Sequence, residues 1–146
     1  MVDVVDGPTR SRMMRGISGK NTFPELMVRS YLHAHGFRFR LHNRKLPGSP
    51  DIVLPKYRLC IFIHGCFWHR HQGCSYSTNP ATRAEFWQEK FRGNVARDKR
   101  NIGDLQIGGW RVFVIWECGM RRKLDLKWLP SKVKGKLRYF EWPSPR

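Results

Sequence analysis

Residues 111–116 read RVFVIW, a run in which five apolar residues follow one basic residue. An apolar run without alternating polar residues is typical of a β-strand covered on both faces, so we expect it in the middle of a sheet. Residues 58–63, RLCIFI, have a similar character and predict a second strand. The two runs predict a central sheet flanked by helices.

Shorter strands are predicted on the N-terminal side of these runs. Residues 37–41 (FRFRL) alternate apolar and basic side chains, as in a strand with one buried face. The sequence PGSP at residues 47–50 marks a turn, and DIVL at residues 51–54 follows as a strand. PKY at residues 55–57 then turns the chain into the strand at residues 58–63.

Three helices are predicted around these strands. Thr22 and Glu25 have the spacing of a capping box, which predicts a helix that begins there and ends near Gly36. A second helix is predicted at residues 79–91, because it begins with Asn-Pro, and a third at residues 94–107, before two glycines. The resulting order is αβββααβ, a mixed α/β fold.

The length of 146 residues suits one domain, and 40% hydrophobic residues are enough to build its core. Residues 1–20 form a polar, basic segment that we expect to contact a nucleic acid. Residues 119–146 carry nine Lys or Arg against two acidic residues, which predicts an electrostatic arm more than a packed element.

The charge of the chain indicates its partner. Lys and Arg number 28 against 11 Asp and Glu, a net charge of +17 that exceeds what solubility requires. A polyanion is therefore expected as partner. No apolar stretch is long enough to span a membrane and the N-terminus lacks the apolar core of a signal peptide, so we expect a cytoplasmic protein that binds nucleic acid, not a membrane protein.

Three of the four cysteines lie near a histidine in a pattern typical of a metal site. Cys66, His71 and Cys74 have the local spacing of soft metal ligands, and Cys118 follows the strand at residues 111–116. Four such ligands suit a tetrahedral Zn²⁺ that leaves no position for substrate, so this site is predicted to be structural. The alternative is a set of unrelated thiols beside a surface histidine. Cys60, inside an apolar run, is predicted to be a buried small hydrophobe.

The candidate catalytic residues lie at strand ends. Asp51 begins a strand after a turn, His64 ends the next strand, and His69 follows five residues later. A carboxylate that holds Mg²⁺ beside imidazoles that move protons is the chemistry that phosphodiester hydrolysis needs. Ordinary polar residues at the ends of a sheet are the alternative interpretation.

Two further acidic residues could reach this site. Glu25 would approach from the start of the first helix, where capping is its competing role. Asp98 would approach from the third helix, where a solvated helix face is the competing interpretation. The aromatic residues Trp68 and Trp87 lie in polar surroundings and are candidates for stacking on bases.

Several short motifs in the chain resemble those of the Vsr very-short-patch-repair endonucleases, and the resemblance extends to about Cys118. The strings are TRS at residues 9–11, LPG at 46–48, PD at 50–51, HGCFWH at 64–69, PATR at 80–83, EFW at 85–87, RD at 97–98, GWRV at 109–112 and WEC at 116–118. The HGCFWH string is the most specific of them.

The resemblance implies a restriction-endonuclease-like core, a structural zinc, and Mg²⁺-dependent nicking of duplex DNA at a T:G mismatch in very short patch repair. It also implies a monomer that acts on double-stranded mismatched DNA in association with the nucleoid, with mismatch-repair accessory proteins as further partners. No membrane partner is expected.

The resemblance also assigns residues. Asp51 and the backbone carbonyl of Ile63 would hold Mg²⁺, His64 and His69 would be catalytic, and Glu25 and Asp98 would support them. The zinc ligands would be Cys66, His71, Cys74 and Cys118. The residues expected to contact DNA are Phe67, Trp68 and Trp87, which would wedge into the duplex, with Met14 in the minor groove and Lys90 near the mismatch.

Two other functions remain open at this stage. One is a zinc-bearing DNA-binding module without catalysis, which would need none of Asp51, His64 and His69. The other is a restriction-like endonuclease with a different mismatch or a modified base as its target.

Overall fold

The computed structural model describes residues 22–144, so the basic segment at residues 1–20 and Met14 lie outside the described residues. In chain order the elements are α1 (Phe23–Ala34), β1 (Arg40–Leu41), β2 (Ile52–Leu54), β3 (Leu59–His64), α2 (Cys66–His69), α3 (Ala84–Ile107), β4 (Arg111–Trp116), α4 (Glu117–Arg121), α5 (Leu129–Lys134) and β5 (Tyr139–Trp142). None of the helices in this part of the chain is long and apolar enough to cross a membrane.

The strands form one mixed sheet in the order β1-β2-β3-β4-β5. β1, β2 and β3 are antiparallel neighbours, whereas β3, β4 and β5 run parallel to one another. β4 therefore lies between two strands, as its unbroken apolar run predicts. His64 pairs with Trp116 at the end of the β3–β4 ladder, so the ends of these strands meet at one edge of the sheet.

Both faces of the sheet are buried. Leu59 and Ile61 point into a core that includes Val28 and Leu32 of α1. The alternate residues of β3, such as Cys60, pack on the other face with α3 and the cysteine-rich loop. Because successive side chains of a strand point to opposite faces, two buried faces explain why β3 and β4 are apolar at nearly every position.

The start of α1 confirms the predicted capping signal. The Thr22 hydroxyl accepts a hydrogen bond from the Glu25 amide at 3.5 Å, and Pro24 lies in the first turn. The helix ends at Ala34 with His35 as its C-cap, and Gly36 follows with a φ of 82°, which a residue without Cβ adopts readily.

The prediction of two helices at residues 79–91 and 94–107 is wrong. Instead α3 is one helix of 24 residues that begins at Ala84, after Arg83 in a left-handed conformation. Gly93 lies inside it without breaking it. Glycine costs a helix only about 1 kcal/mol, and the burial of Phe91 and Leu105 on its two sides outweighs that cost. The four-residue helix α2 was not predicted from the sequence.

The prediction of an electrostatic arm for residues 119–146 is also wrong for the described part of that segment. β5 pairs with β4 as a fifth strand, and Leu126, Leu129 and Val133 are buried in the core. These apolar residues are separated by lysines that remain at the surface. The segment is therefore amphipathic, and its many basic residues led to the wrong prediction. The strand predicted at residues 37–41 is shorter than expected, since only Arg40–Leu41 pairs with β2.

Candidate active site and metal centre

An open pocket of about 370 Å³ lies at the edge of the sheet where β3 ends. Five of the predicted site residues line it: Asp51, Ile63, His64, His69 and Asp98. They arrive from the start of β2, the end of β3, α2 and α3. The fold thus brings together residues that are up to 47 positions apart in the chain.

Asp51 is held by the backbone of the neighbouring strand. Its Oδ2 accepts a hydrogen bond of 2.7 Å from the amide of Ile63. Burial raises the pKa of Asp51 to about 7, against the lowering effect of that hydrogen bond, and the negative charge of Glu25 raises it further. Burial thus disfavours the charged form of the carboxylate, which is the condition in which a carboxylate gains most from a bound cation.

The two histidines form a stacked pair. The imidazole rings of His64 and His69 lie 3.9 Å apart at an interplanar angle of 4°. Burial lowers the pKa of His64 well below its usual range, and the adjacent His69 lowers it further. His64 is therefore neutral at neutral pH. Within residues 22–144 its Nδ1 is buried without a hydrogen-bond partner. A buried polar atom of this kind can bond to a ligand or to an ordered water.

Asp98 orients His69. The Nδ1 of His69 lies 2.6 Å from Oδ2 of Asp98, on the helix that covers this face of the sheet. Because a carboxylate only accepts hydrogen bonds, Nδ1 carries the proton in this contact and the neutral ring presents a lone pair at Nε2. A histidine in this arrangement can accept a proton through Nε2.

Glu25 lies close to Asp51 but is not an open ligand. It is only 1% exposed, and its carboxylate accepts hydrogen bonds from Arg29 at 3.1 Å and from His42 at 2.9 and 3.0 Å. Ligand atoms of Glu25, His42 and Asp51 all lie within 4.8 Å of one another. Sequence reasoning missed His42, because nothing in the turn that contains it distinguishes it from a surface histidine.

The four predicted zinc ligands converge next to Trp116, on the face of the sheet that also carries Cys60. Cys66, His71, Cys74 and Cys118 are all buried, and their ligand atoms lie within 4.8 Å of one another. Nδ1 of His71 lies 3.5 Å from Sγ of Cys118 and 3.8 Å from Sγ of Cys66. In a tetrahedral zinc site, Zn–S and Zn–N distances of about 2.3 and 2.1 Å place sulfur and nitrogen ligands about 3.6 Å apart. The donor set and its spacing therefore fit a metal ion.

The surroundings of this cluster are closed. The imidazole of His71 stacks on Trp116 at 4.3 Å, and burial raises the pKa of the Cys66 and Cys118 thiols above the usual value. A metal that takes thiolates would displace these protons. Cys60 is fully buried outside the cluster, and burial raises its pKa to about 12, which confirms its prediction as a small core residue.

An aromatic surface flanks the histidine pair. The rings of Phe67, Trp68 and Trp87 lie 5.0 to 5.9 Å from one another, and Trp68 is 47% exposed. Trp87 is half-buried. Nδ2 of Asn94 donates a hydrogen bond to the carbonyl of Trp68 at 3.1 Å and fixes this loop to α3. Large rings are thus held next to His69.

Arg70 supports this surface, and sequence reasoning missed it. Its guanidinium donates hydrogen bonds to the carbonyls of Phe67 and Thr78, at 3.2 and 2.9 Å, and lies 4.0 Å from the ring of Phe91. Lys90 is exposed on α3 one residue before Phe91, and no described contact fixes its side chain.

The chain is similar to known DNA endonucleases over most of its length. Residues 2–75 match the model of the family described as DNA mismatch endonuclease Vsr. The type II nicking enzyme V.XorIIP of Xanthomonas oryzae pv. oryzae is 48% identical over 135 residues, which cover 92% of this chain and 96% of that protein. The DNA mismatch endonuclease Vsr of Escherichia coli is 50% identical over 126 residues, 86% of this chain and 80% of that protein. The type II nicking enzyme V.NmeAIP of Neisseria meningitidis is 42% identical over 123 residues, 84% and 87% of the two chains. The chain therefore belongs to the Vsr family of DNA mismatch endonucleases.

Proposed function

We propose that this protein is a Mg²⁺-dependent endonuclease that nicks one strand of duplex DNA beside a T:G mispair, as in very short patch repair, and that its sheet is a restriction-endonuclease-like core. The observation that carries the proposal is the pocket in which Asp51 meets the His64–His69 pair next to exposed Trp68. A net charge of +17 supplies the attraction to the phosphate backbone.

Asp51 and the backbone carbonyl of Ile63 are the proposed Mg²⁺ ligands. The fit is supported by the chemistry of the donor set, hard oxygens that include the buried Asp51 carboxylate, and by Nδ1 of His64 in the same pocket, which has no partner within residues 22–144. When bound, Mg²⁺ would neutralise the negative charge that develops on the scissile phosphate.

The residues of the pocket have distinct proposed roles in hydrolysis. His69 accepts the proton of the attacking water at Nε2, while Asp98 holds the ring in the required tautomer. As the water oxygen bonds to phosphorus, the phosphorus–oxygen bond to the leaving strand breaks, and the leaving oxygen is protonated from solvent. His64 stays neutral and orients a phosphate or water through Nδ1. Glu25 supports Asp51 from behind.

The Cys66, His71, Cys74 and Cys118 cluster is proposed to hold a structural Zn²⁺. A closed set of four protein ligands leaves no position for substrate, so the ion would serve stability. It would join the loop that carries Phe67 and Trp68 to the segment after β4, which makes the aromatic surface rigid.

Phe67 and Trp68, supported by Trp87, are the proposed wedge at the mismatch. Opening a base step costs a few kcal/mol, and less at a mispair, whereas stacking of a base on an aromatic side chain returns roughly 1–3 kcal/mol. A rigid wedge therefore inserts more readily beside a T:G pair than into matched DNA. Met14 and Lys90 are proposed as further contacts near the mispair.

Binding of matched and T:G-mismatched duplexes to Trp68→Ala tests this function. We expect the variant to lose about tenfold or more in affinity for the mismatched duplex and less for the matched one. Tyr139→Ala is the control, since Tyr139 is also exposed but pairs with Val112 at the opposite end of the sheet from His64. Equal losses of affinity for both duplexes would show that the aromatic surface has no part in mismatch recognition.

A further inference from the structure

His42 is linked to two acidic residues, Glu25 and Asp51. Its Nε2 lies 3.0 and 2.9 Å from Oε1 and Oε2 of Glu25, so one ring nitrogen reaches both oxygens of a carboxylate that is 1% exposed. Its backbone amide donates a hydrogen bond of 3.0 Å to the carbonyl of Asp51. The residue thus connects the first turn of α1 with the start of β2.

The backbone of His42 adopts a conformation that residues with a Cβ rarely take. Its φ is 48°, in the left-handed region, at the residue that follows β1. Such a conformation persists where surrounding contacts hold it, and it is common where a side chain must be aimed at a functional site. Here His42 is aimed into the pocket that it lines together with Asp51.

We propose that His42 is a positioning residue for catalysis: it fixes the Glu25 carboxylate beside Asp51 and so sets the shape of the cation-binding edge of the pocket. This inference rests on the proposed function. A carboxylate accepts hydrogen bonds only, so Nε2 of His42 carries its proton toward Glu25 and has no lone pair for a metal. His42 therefore acts through Glu25 and is not itself a ligand.

Two variants of similar size separate hydrogen bonding from packing. His42→Gln keeps an N–H donor that can reach Glu25, whereas His42→Leu fills the space without one. Both retain a Cβ in the left-handed backbone, so both carry the same conformational cost. His33→Leu, at an exposed position of α1, is the control for loss of a histidine.

The measurements are Mg²⁺ binding by calorimetry without DNA, the midpoint of thermal unfolding, and kcat and KM on a mismatched duplex. We expect His42→Leu to weaken Mg²⁺ binding and to lower kcat, each by about tenfold, with KM for DNA unchanged. His42→Gln should recover most of both. If His42→Gln is as impaired as His42→Leu, or if the losses simply follow the unfolding midpoint, the positioning role is wrong.

A double-mutant cycle with Glu25→Gln completes the test. Because His42 acts through Glu25, His42→Leu should have little further effect in the Glu25→Gln background. Additive effects would overturn the inference. Failure of the wild type to nick any mismatched duplex would refute the proposed function instead, and the calorimetric comparison of the His42 variants would still decide whether His42 shapes the cation site.

Discussion

His69 and Asp98 are joined by a hydrogen bond of 2.6 Å between Nδ1 and Oδ2, across 29 residues of sequence. His69 lies on the short helix after β3, and Asp98 lies near the middle of α3. The long helix therefore has a role beyond covering the sheet, since it supplies the group that orients the proposed base.

The first prediction is that His69→Ala lowers kcat by about 10²- to 10⁴-fold, as expected for loss of a general base. Asp98→Asn should also lower kcat, and the double variant should be no slower than His69→Ala alone, because Asp98 acts through His69. Single-turnover nicking rates measure this, and DNA affinity serves as the control. Additive losses would give Asp98 an independent role.

The second prediction concerns pH and Asp51. Burial raises the pKa of Asp51 from its ordinary value of 3.8 to about 7 in the folded protein without a metal, so the folded protein binds this proton more tightly than the unfolded chain. The contribution to stability is complete below pH 3.8 and is lost as pH rises through about 7. Without divalent cations, the wild type should therefore lose more stability between pH 5 and pH 8 than Asp51→Asn, which has no carboxyl to ionise.

Urea unfolding of both proteins at the two pH values measures this difference. Mg²⁺ needs the ionised carboxylate, so its affinity for the wild type should fall by roughly tenfold per pH unit below pH 7. The same pH dependence in wild type and Asp51→Asn would show that Asp51 does not have the raised pKa.

The third prediction is that the purified protein carries one equivalent of zinc. Cys74→Ser should lose the metal and about 4 kcal/mol or more of stability, which lowers the unfolding midpoint by about 8–16 °C for a domain of this size. Cys60→Ala is the matched control, since Cys60 is a buried cysteine outside the cluster. Metal analysis measures the zinc content and thermal unfolding measures the loss of stability. A folded wild type without zinc would contradict the prediction.

The fourth prediction tests the packing of the C-terminal segment. A Cβ on Gly119 would overlap the indole ring of Trp142, so α4 approaches β5 more closely than any larger residue allows. Gly119→Ala should therefore destabilise the protein by about 1–3 kcal/mol, although alanine normally favours a helix. Gly93→Ala, where a Cβ meets nothing within 4 Å, is the control and should be neutral or stabilising. Equal unfolding midpoints for the two variants would contradict this packing.

The sequence predicted the parts of this molecule that depend on local patterns. The apolar runs of β3 and β4 and the capping signal at Thr22 are such patterns, and the structure confirms them. The spacing of Cys66, His71 and Cys74 is local too, and Cys118 joins it because β4 runs parallel to β3.

The features that were not predicted depend on tertiary contacts. β5 was not predicted, because the lysines between the apolar residues of the preceding segment led to the prediction that the whole C-terminal region is an unpacked basic arm. The role of His42 depends on a left-handed turn and on a partner 17 residues away, and neither leaves a signal in the sequence. Asp98 could be proposed from the pattern, but only packing of α3 against α2 brings it to His69.

The central claim is that this chain nicks DNA beside a T:G mispair through Asp51. The most direct test incubates the wild type and Asp51→Ala with Mg²⁺ and a panel of strand-labelled duplexes that differ only in one central pair. The account predicts that the wild type nicks a single strand of the T:G duplex at least about tenfold faster than the matched duplex. It also predicts that Asp51→Ala binds that duplex but does not cut it. Equal cutting of matched and T:G duplexes, or substantial nicking by Asp51→Ala, would contradict it.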